Sequence, residues 1–365
     1  MPPRWSADHL RLHRSLLLQP RLLPRGASLL LAVSGGQDSM AMTGLLMDLQ
    51  PHHRWRLHLW HGDHGWRPES SRQALELQTW ARQRQLPMQV DRQDPPGESE
   101  HREASARRWR YLCLRSEALR VGCSHVLTAH TASDRAETVL LNLARGSHRR
   151  GLASLRRRLP LEALLEDQDA GADVPAPLRS GALETEGAAP GEGVLWLVRP
   201  LQLFSREDTL RLCRRHRWPT WIDPTNAMST LSRNRIRARV LPVLEELHPG
   251  AARRISQQAE RLAAEQDQQQ ELLELALAPL LLAPSGLDRR ALVRLSPVSQ
   301  GLLLQHWLVR ARGRGIDSRS LASLLPRLAM ERGSGQMDLS GGWQLSWQGS
   351  TLALLTSRNL SSGHG

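Results

Sequence analysis

The glycine-containing stretch Ser34-Gly35-Gly36-Gln37-Asp38-Ser39 follows an apolar run at residues 29–33 and precedes a segment with helical spacing. Two glycines let the backbone come close to a phosphate, because no Cβ intrudes. The serine hydroxyls and the free N–H groups of a first helical turn supply hydrogen-bond donors. A Walker loop is excluded, since the Gly-Lys-Ser/Thr ending is missing. The stretch therefore predicts another kind of phosphate site, at a strand-to-helix turn.

Asp38 is the one acidic residue of this stretch. A carboxylate beside a polyphosphate makes little sense unless Mg²⁺ bridges the two groups. The alternative is an ordinary acid in the first helical turn, where it complements the helix dipole. The stretch alone leaves both interpretations open.

Strand-like and helix-like segments alternate over the first 160 residues. Such alternation is typical of an α/β fold with a doubly wound, mostly parallel sheet. Ligands in these folds bind beyond the carboxyl ends of the strands, so we expect the functional site there. The predicted strands are residues 29–33, 56–60, 88–91 and 125–129, and the predicted helices are residues 40–49, 70–85, 103–120 and 136–144.

The composition changes after residue 160. Residues 161–193 hold eight acidic residues against one arginine, with many Gly, Ala and Pro, which predicts a disordered insertion. We assign residues 1–160 and 194–240, which include a strand at 194–198, to one catalytic domain. Residues 241–365 are predicted to form a mainly helical domain. Its expected parts are helices at 251–282 and 317–330 and a small β meander at 336–355.

The charge of the chain predicts a polyanionic partner. The formal net charge is +13, the pI is about 11.3, and all 49 basic residues are arginine. Nucleic acid is the expected partner, with a membrane surface as the rival. No apolar run is long enough to span a bilayer, so we expect no membrane association. The three cysteines form no CxxC pair, which indicates neither a zinc site nor a disulfide framework and favours the cytoplasm.

Two polar segments precede the fourth predicted strand. His61, Asp63 and His64 follow the second predicted strand between glycines, which suggests a site loop, with a surface turn or a metal-binding triad as alternatives. Glu103, Arg107 and Arg110 share one face of a predicted helix. A solvated face with salt bridges is the alternative for that group.

A third polar segment begins at His130, which ends the fourth predicted strand. Asp134 and Glu137 follow three residues apart on the next helix. Thr131 and Asp134 also fit a Thr-x-x-Asp capping box, which is the structural alternative for Asp134. That alternative explains neither His130 nor Glu137.

Together these segments resemble the tRNA(Ile)-lysidine synthetase family of the ATP-pyrophosphatase-loop superfamily. In that family the SGGxDS loop is followed by H-x-D-H-G-x-R, E-x-x-A-R-x-x-R-Y and A-H-x-x-D-D-x-x-E-T, then by R-G, G-L, R-P-L and D-P-S/T-N with R-N-x-I/L-R. The order is kept here over roughly residues 28 to 245. The matching positions are residues 61–67, 103–111, 129–138, 145–146, 151–152, 199–201, 223–226 and 233–237.

Three positions depart from the family pattern. Thr131 and Ser133 stand where the family usually has His and Asp, and Arg135 replaces a common Gln. The retained residues His130, Asp134 and Glu137 are those to which we assign function.

The resemblance implies a ligation in two steps. The C2 carbonyl oxygen of the wobble cytidine, in a tRNA(Ile) with a CAU anticodon, attacks the ATP α-phosphate and releases pyrophosphate. The ε-amine of free L-lysine then displaces AMP and gives lysidine. Mg²⁺ is the implied cofactor, held between ATP and Asp38.

The resemblance also implies a role for each matching residue. Catalytic roles fall to Asp38, Arg110, His130, Asp134 and Glu137, of which Asp134 and Glu137 would hold the lysine ammonium. ATP binding falls to the stretch from Ser34 to Ser39, to Arg107 and to Arg199. Contacts with tRNA or substrate fall to His61, Asp63, His64, Arg145, Arg233, Asn234 and Arg237, with a structural ion pair as the alternative for Arg233 and Arg237. The helical domain at residues 241–365 is implied to bind tRNA.

Two other kinds of function fit parts of the sequence. Another loop enzyme that modifies tRNA, such as a thiolase, would need cysteines to carry sulfur or a cluster, and no suitable pair exists. A catalytically impaired tRNA-binding paralogue is suggested only by the replacements at Thr131 and Ser133. The sequence leaves the oligomeric state open, with a homodimer as one option.

Overall fold

The computed structural model describes residues 5–63, 65, 68–93, 102–169, 193–221, 232–282, 286–330 and 333–356. They divide into two compact units, one up to residue 264 and one from residue 265. Within these described ranges, no helix is both long enough and apolar enough to cross a membrane.

The first unit is built on a six-stranded sheet with the order β3-β2-β1-β4-β6-β5. Its strands are β1 (Ser28–Ala32), β2 (Arg56–Asp63), β3 (Met88–Arg92), β4 (His125–Leu127), β5 (Arg158–Pro160) and β6 (Trp196–Val198). All neighbours are parallel except β5 and β6. The predicted α/β fold with a mostly parallel sheet is therefore confirmed.

Helices cover both faces of this sheet. Leu29 and Leu31 of β1 belong to one buried cluster and Leu30 to another, because successive side chains of a strand point to opposite faces. The helices are α1 (Ala7–Leu18), α2 (Gln37–His53), α3 (Pro68–Gln83), α4 (Arg102–Arg120), α5 (Ala132–Ala144), α6 (Arg149–Leu152), α7 (Glu162–Asp169), α8 (Arg206–His216), α9 (Ser232–Arg235), α10 (Leu241–Leu247) and α11 (Ala251–Leu277). A 3₁₀ turn at Pro200–Leu203 precedes α8, and a π-helical turn at Ile236–Val240 joins α9 to α10.

Two predicted element boundaries were wrong near the site. We placed His61 and Asp63 in a loop, but β2 continues through Asp63, because His61 pairs with Val90 and Asp63 with Arg92 of β3. Pairing with a neighbouring strand, which a single segment does not reveal, extends this strand into polar residues. Helix α5 begins at Ala132 rather than at residue 136, because the Thr131 capping box starts it.

The predicted disorder from residue 161 was also wrong at its start. Leu161 is fully buried in the cluster that includes Leu114, and α7 follows at once. Leu164 and Leu165 pack against the same cluster. Residues 170–192 lie outside the described residues.

The second unit contains a five-stranded antiparallel sheet with the order β7-β8-β11-β10-β9. The predicted meander corresponds to its last three strands. The elements are β7 (Leu281–Leu282), β8 (Gly286–Asp288), α12 (Arg289–Val293), α13 (Pro297–Arg312), α14 (Ser318–Ala329), β9 (Gly335–Leu339), β10 (Trp343–Gln348) and β11 (Thr351–Thr356).

The boundary between the units differs from the predicted one at residue 240. It falls inside α11, after residue 264. The reason is packing: Leu241 and Ala252 form one buried cluster with Ala136 of α5. Apolar contact therefore holds α10 and the first half of α11 in the first unit.

Candidate active site at the carboxyl end of the sheet

The predicted phosphate stretch forms a tight turn between β1 and α2. Gly35 has a φ of 83°, a conformation that side chains with a Cβ rarely adopt, and Gly36 is the N-cap of α2. The Ser34 and Ser39 hydroxyls lie 3.2 Å apart, and the Gly36 N–H donates to Ser34 Oγ at 3.3 Å. The two hydroxyls thus lie together at the N-terminus of α2, which has no side-chain cap, as suits phosphate binding.

Asp38 is held by residues of α8. The Thr209 hydroxyl donates to Asp38 Oδ1 at 2.5 Å, and the Arg206 guanidinium lies 3.9 Å from Asp38 Oδ2. Burial raises the pKa of Asp38, and the nearby Asp134 carboxylate raises it further. Thr209 and Arg206 oppose both effects by stabilising the charged form.

Thr209 and Arg206 were missed by the sequence analysis. The sequence does carry a signal for their helix, because Ser205 and Asp208 form an S-x-x-D capping box at its start. That pattern predicts where α8 begins but not that it faces Asp38, which lies 171 residues earlier in the chain.

His130 lies beyond the end of β4 and close to three arginines. The His130 Nδ1 atom is 3.0 Å from the Thr128 hydroxyl. Burial lowers the pKa of His130 to about 3, and repulsion by Arg199, Arg233 and Arg107 contributes. The ring is therefore neutral at physiological pH.

Arg199 lies at the end of β6 and is completely buried. It donates to the Arg156 carbonyl at 2.5 Å and is hydrogen-bonded to Tyr111. Burial lowers its pKa to about 10, so it stays charged. The Arg107 guanidinium lies over the Tyr111 ring, 5.6 Å from its centroid. The positive charges of Arg107 and Arg199 are therefore brought together on the side of the site that holds His130.

Glu137 is fully engaged by two arginines. Its side chain is 1% exposed. It accepts from Arg237 at 2.6 and 2.8 Å and from Arg233 at 3.0 Å. The structure thus joins two predicted groups, the Asp134–Glu137 pair and the 233–237 segment, that the sequence analysis had assigned to different substrates.

Asp134 has one oxygen in the helix cap and one toward the site. Its Oδ2 accepts from the Thr131 N–H and hydroxyl, both at 2.8 Å, so the capping box is present. Its Oδ1 has only longer contacts, 3.5 Å to Arg233 and 3.6 Å to Arg237. Burial would raise the pKa of Asp134, but the charge of Arg233 and the hydrogen bonds from Thr131 outweigh that effect and lower it.

His61 and Asp63 hold the edge of the site. The ring of His61 is 2.7 Å from the Val33 carbonyl through Nδ1, and burial lowers its pKa. Asp63 accepts from the Gly65 N–H at 2.9 Å and the Ser71 hydroxyl at 3.0 Å. Asp63 thereby fixes the entry into α3. His64 lies outside the described residues.

The remaining predicted residues, Arg110, Asn234 and Arg145, lie on three different helices or helix ends. Arg110 is exposed on α4, and its positive charge contributes to the lowered pKa of His61. Asn234 is half-buried on α9. Arg145 is exposed at the C-terminal end of α5, away from the turn that carries Asp134.

Each departure from the family pattern has a structural role in this chain. Thr131 is the N-cap of α5. The Ser133 hydroxyl accepts from the Arg206 N–H at 3.1 Å and so caps α8. Arg135 is buried and donates to Gln202 at 3.1 Å, to the Ser154 carbonyl and to Glu260.

The donor set suits a magnesium ion bound together with a polyphosphate. Among the described residues, no group of three or more His, Cys, Asp or Glu side chains could hold a metal by itself. Asp38 supplies a carboxylate beside the phosphate turn, and Mg²⁺ is commonly held by one or two carboxylates plus substrate phosphates. Asp38 is therefore the residue that fits such an ion.

Comparison with known proteins shows the family of this chain. Residues 11–244 match the PP-loop domain family. The chain is similar to a tRNA(Ile)-lysidine synthase from Parasynechococcus marenigrum, with 47% identity over 96% of this chain and 95% of the relative. A tRNA(Ile)-lysidine synthase from Prochlorococcus marinus is 38% identical over 96% of this chain and 97% of its own length.

A solved structure shares the fold. It is a U34-tRNA thiolase from Methanococcus maripaludis, with a TM-score of 0.52 and 16% identity over 70% of this chain and 79% of that one. Such identity supports the fold alone, whereas the matches over nearly the full length decide the family. The chain belongs to the tRNA(Ile)-lysidine synthase family of PP-loop proteins.

Proposed function

We propose that this chain ligates L-lysine to C2 of the wobble cytidine in a tRNA(Ile) with a CAU anticodon, using ATP and releasing AMP and pyrophosphate. One observation carries the proposal. Asp38 of the phosphate turn lies near the Asp134 carboxylate, and His130, which is close to Asp134, is also close to the cations Arg107 and Arg199. Such a site can bind a triphosphate and an ammonium group side by side.

The first step is adenylation of the cytidine. Its transition state concentrates negative charge on the phosphoryl oxygens, which preorganised cations stabilise. Arg107, Arg110 and Arg199 supply that charge, and the Ser34–Ser39 turn positions the phosphates. Asp38 would hold an Mg²⁺ ion that arrives with ATP, and such an ion would supply further positive charge there.

The second step needs a neutral amine. Lysine arrives as an ammonium with a reference pKa of about 10.4, and only the deprotonated form attacks. We assign the ammonium to Asp134 Oδ1, because the other oxygen is committed to the helix cap. A carboxylate with a lowered pKa binds a cation well but is a weak base, so the proton passes on to solvent.

Glu137 takes a different role in this proposal. Three hydrogen bonds from Arg233 and Arg237 engage both oxygens of its carboxylate. We therefore assign Glu137 to positioning these arginines rather than to direct binding of lysine. Their exposed N–H groups then face an incoming nucleotide, and neutral His130 donates or accepts a hydrogen bond at the phosphate or the base.

The tRNA is held mainly through its phosphates. A net charge of +13 favours polyanion binding, and Arg145, Arg149 and Arg150 are exposed beside the end of α5. We assign His61, Asp63 and Asn234 to contacts with the anticodon, and His64 remains a contact predicted from the sequence. We further propose a cytoplasmic location, since Cys113, Cys123 and Cys213 are all free thiols. A homodimer is the oligomeric state to test.

One assay separates this proposal from its rivals. The chain is incubated with ATP, radiolabelled lysine and tRNA bearing a CAU anticodon, and lysine incorporation is measured. Asp38→Ala should reduce incorporation at least about a hundredfold, because it removes charge beside the reacting phosphate. Thr79→Ala, on the exposed face of α3, is the control and should leave the rate unchanged. AMP release with a sulfur donor but no lysine incorporation, or an inactive chain that still binds tRNA, would overturn the proposal.

A further inference from the structure

Trp221 contacts the phosphate turn from outside the predicted motifs. Its backbone N–H donates to the Gly35 carbonyl at 2.9 Å. Its indole lies against Gly35 so closely that a Cβ on this glycine would be 3.2 Å from ring atom Cε3. The same ring packs on the main apolar core of the unit. Trp221 is thus both anchored and in direct contact with the residue at the centre of the turn.

The backbone contact sets the direction of one peptide group. In a trans peptide the carbonyl of Gly35 and the N–H of Gly36 point in opposite directions. Because Trp221 holds the carbonyl, the Gly36 N–H is turned the other way, toward Ser34 Oγ and the phosphate side. Phosphate binding depends on such amides pointing inward while carbonyls point outward.

Glu76 of α3 fixes the indole in turn. The Trp221 Nε1–H donates to Glu76 Oε2 at 2.7 Å, and Arg72 donates to Glu76 Oε1 at 2.9 Å. The indole and Arg72 lower the pKa of this carboxylate, which is therefore ionised at neutral pH. The same helix α3 also donates to Asp63 of β2 through Ser71, so α3 is connected both to Trp221 and to the end of β2.

We infer that Trp221 is a positioning residue for the ATP-binding turn, and that Glu76 acts through Trp221 by holding its indole against Gly35. This inference rests on ATP binding at the turn, which belongs to the proposed function. It adds two residues, Trp221 and Glu76, whose effect on ATP is indirect.

The test is direct ATP binding to the full chain by equilibrium dialysis, which does not depend on lysidine formation. Trp221→Ala removes the packing and should raise the Kd for ATP about tenfold, equivalent to about 1.4 kcal/mol. Trp221→Phe keeps the ring but loses Nε1–H, and Glu76→Ala loses the acceptor. Each should raise the Kd about threefold. The double variant that combines Trp221→Phe with Glu76→Ala should raise the Kd no more than either single variant does, because both substitutions remove the same hydrogen bond.

Trp218→Phe is the matched control. Its indole packs on Gly44 in the middle of α2, away from the turn, where a Cβ would lie 2.2 Å from the ring. The control should lower the urea midpoint but leave the Kd for ATP unchanged. Unchanged ATP binding in folded Trp221→Ala, additive effects in the double variant, or an equal loss in Trp218→Phe would each overturn the inference. Normal ATP binding by the unsubstituted chain without any lysine incorporation would instead count against the proposed function.

Discussion

At the scale of single residues, the charge of Asp38 depends on a neighbour on another helix. Thr209 is 0% exposed, and its hydroxyl is 2.5 Å from Asp38 Oδ1. A hydrogen bond to a charged group is worth about 1.5–3 kcal/mol. The hydroxyl therefore contributes to the orientation of the carboxylate that we place beside the ATP phosphates.

Thr209→Val should lower kcat/KM for ATP about tenfold or more, since it removes that bond without changing the volume. Thr209→Ser restores the hydroxyl and should recover most of the activity. Thr43→Val is the control: Thr43 is equally buried, but its hydroxyl donates to the Ser39 carbonyl within α2. Steady-state kinetics with varied ATP measure the effect, and equal losses in both valine variants would contradict the role of Thr209.

Asp134 and Glu137 should differ in their effects, although they lie one helical turn apart. Asp134→Asn should raise the KM for lysine about tenfold, because it removes the charge assigned to the ammonium. Glu137→Gln should leave the KM for lysine nearly unchanged. It should instead lower the free energy of unfolding by about 2 kcal/mol, since two arginines lose their buried partner.

Lysine titrations and urea unfolding of both variants provide the test. Should Glu137→Gln raise the KM for lysine as much as Asp134→Asn does, the ammonium lies between the two carboxylates, and our assignment is wrong.

At the scale of elements, Asp208 connects three helices. It is 2% exposed at the start of α8 and accepts from Arg253 of α11 at 2.5 Å and from Arg211 at 2.7 Å, while Arg11 of α1 lies 3.8 Å away. Burial would raise its pKa, but the Ser205 N–H and Arg253 outweigh that effect and lower the pKa to about 2. The folded state therefore favours the ionised carboxylate.

The lowered pKa of Asp208 predicts that the protein loses stability as the pH falls. A lowered folded pKa stabilises the protein above the ordinary value of 3.8, and that contribution of about 2 kcal/mol is lost as the pH falls toward about 2. Asp208→Asn should lack this contribution. The difference in free energy of unfolding between this variant and the natural chain should therefore become smaller as the pH falls. Urea unfolding at several pH values measures this. Asp317→Asn, at an exposed N-cap of α14, is the control and should show a smaller deficit. A deficit for Asp208→Asn that does not change with pH would contradict the assignment.

At the scale of the whole molecule, charge dominates the encounter with tRNA. Each phosphate contact made by an arginine releases counterions, so binding weakens steeply with salt. Raising the salt from about 50 to about 200 mM should weaken tRNA binding by about a thousandfold if six or more phosphates are contacted. Filter binding at several salt concentrations measures the slope. The KM for lysine, a small zwitterion, should change far less, and a slope near zero would exclude phosphate contacts as the main source of affinity.

Much of the fold and part of the site were predictable from sequence. The apolar run before Ser34, the two glycines after it and the capping boxes at Thr131 and Ser205 all act over a few residues, within one segment of chain. Local sterics and local hydrogen bonds control such features, so their pattern is readable in order along the chain. The family resemblance rests on the same kind of ordered local segment.

Other features depended on tertiary structure. The extension of β2 to Asp63 required pairing with β3, and the burial of Leu161 required the face of α4. The partners of Glu137 lie about a hundred residues further along the chain. No rule of sequence spacing applies over such a separation, because it is the fold that brings these side chains together.

The sequence by itself determined that this protein builds a strand, a glycine turn and a helix N-terminus for phosphate, and that it belongs with enzymes that modify tRNA. Only the tertiary structure decided which side chains support that turn: Thr209 on Asp38, and Trp221 on Gly35. The physical reason is the range of the forces. The turn follows from backbone sterics within six residues, whereas its supports are contacts that exist only once the sheet and α8 have packed together.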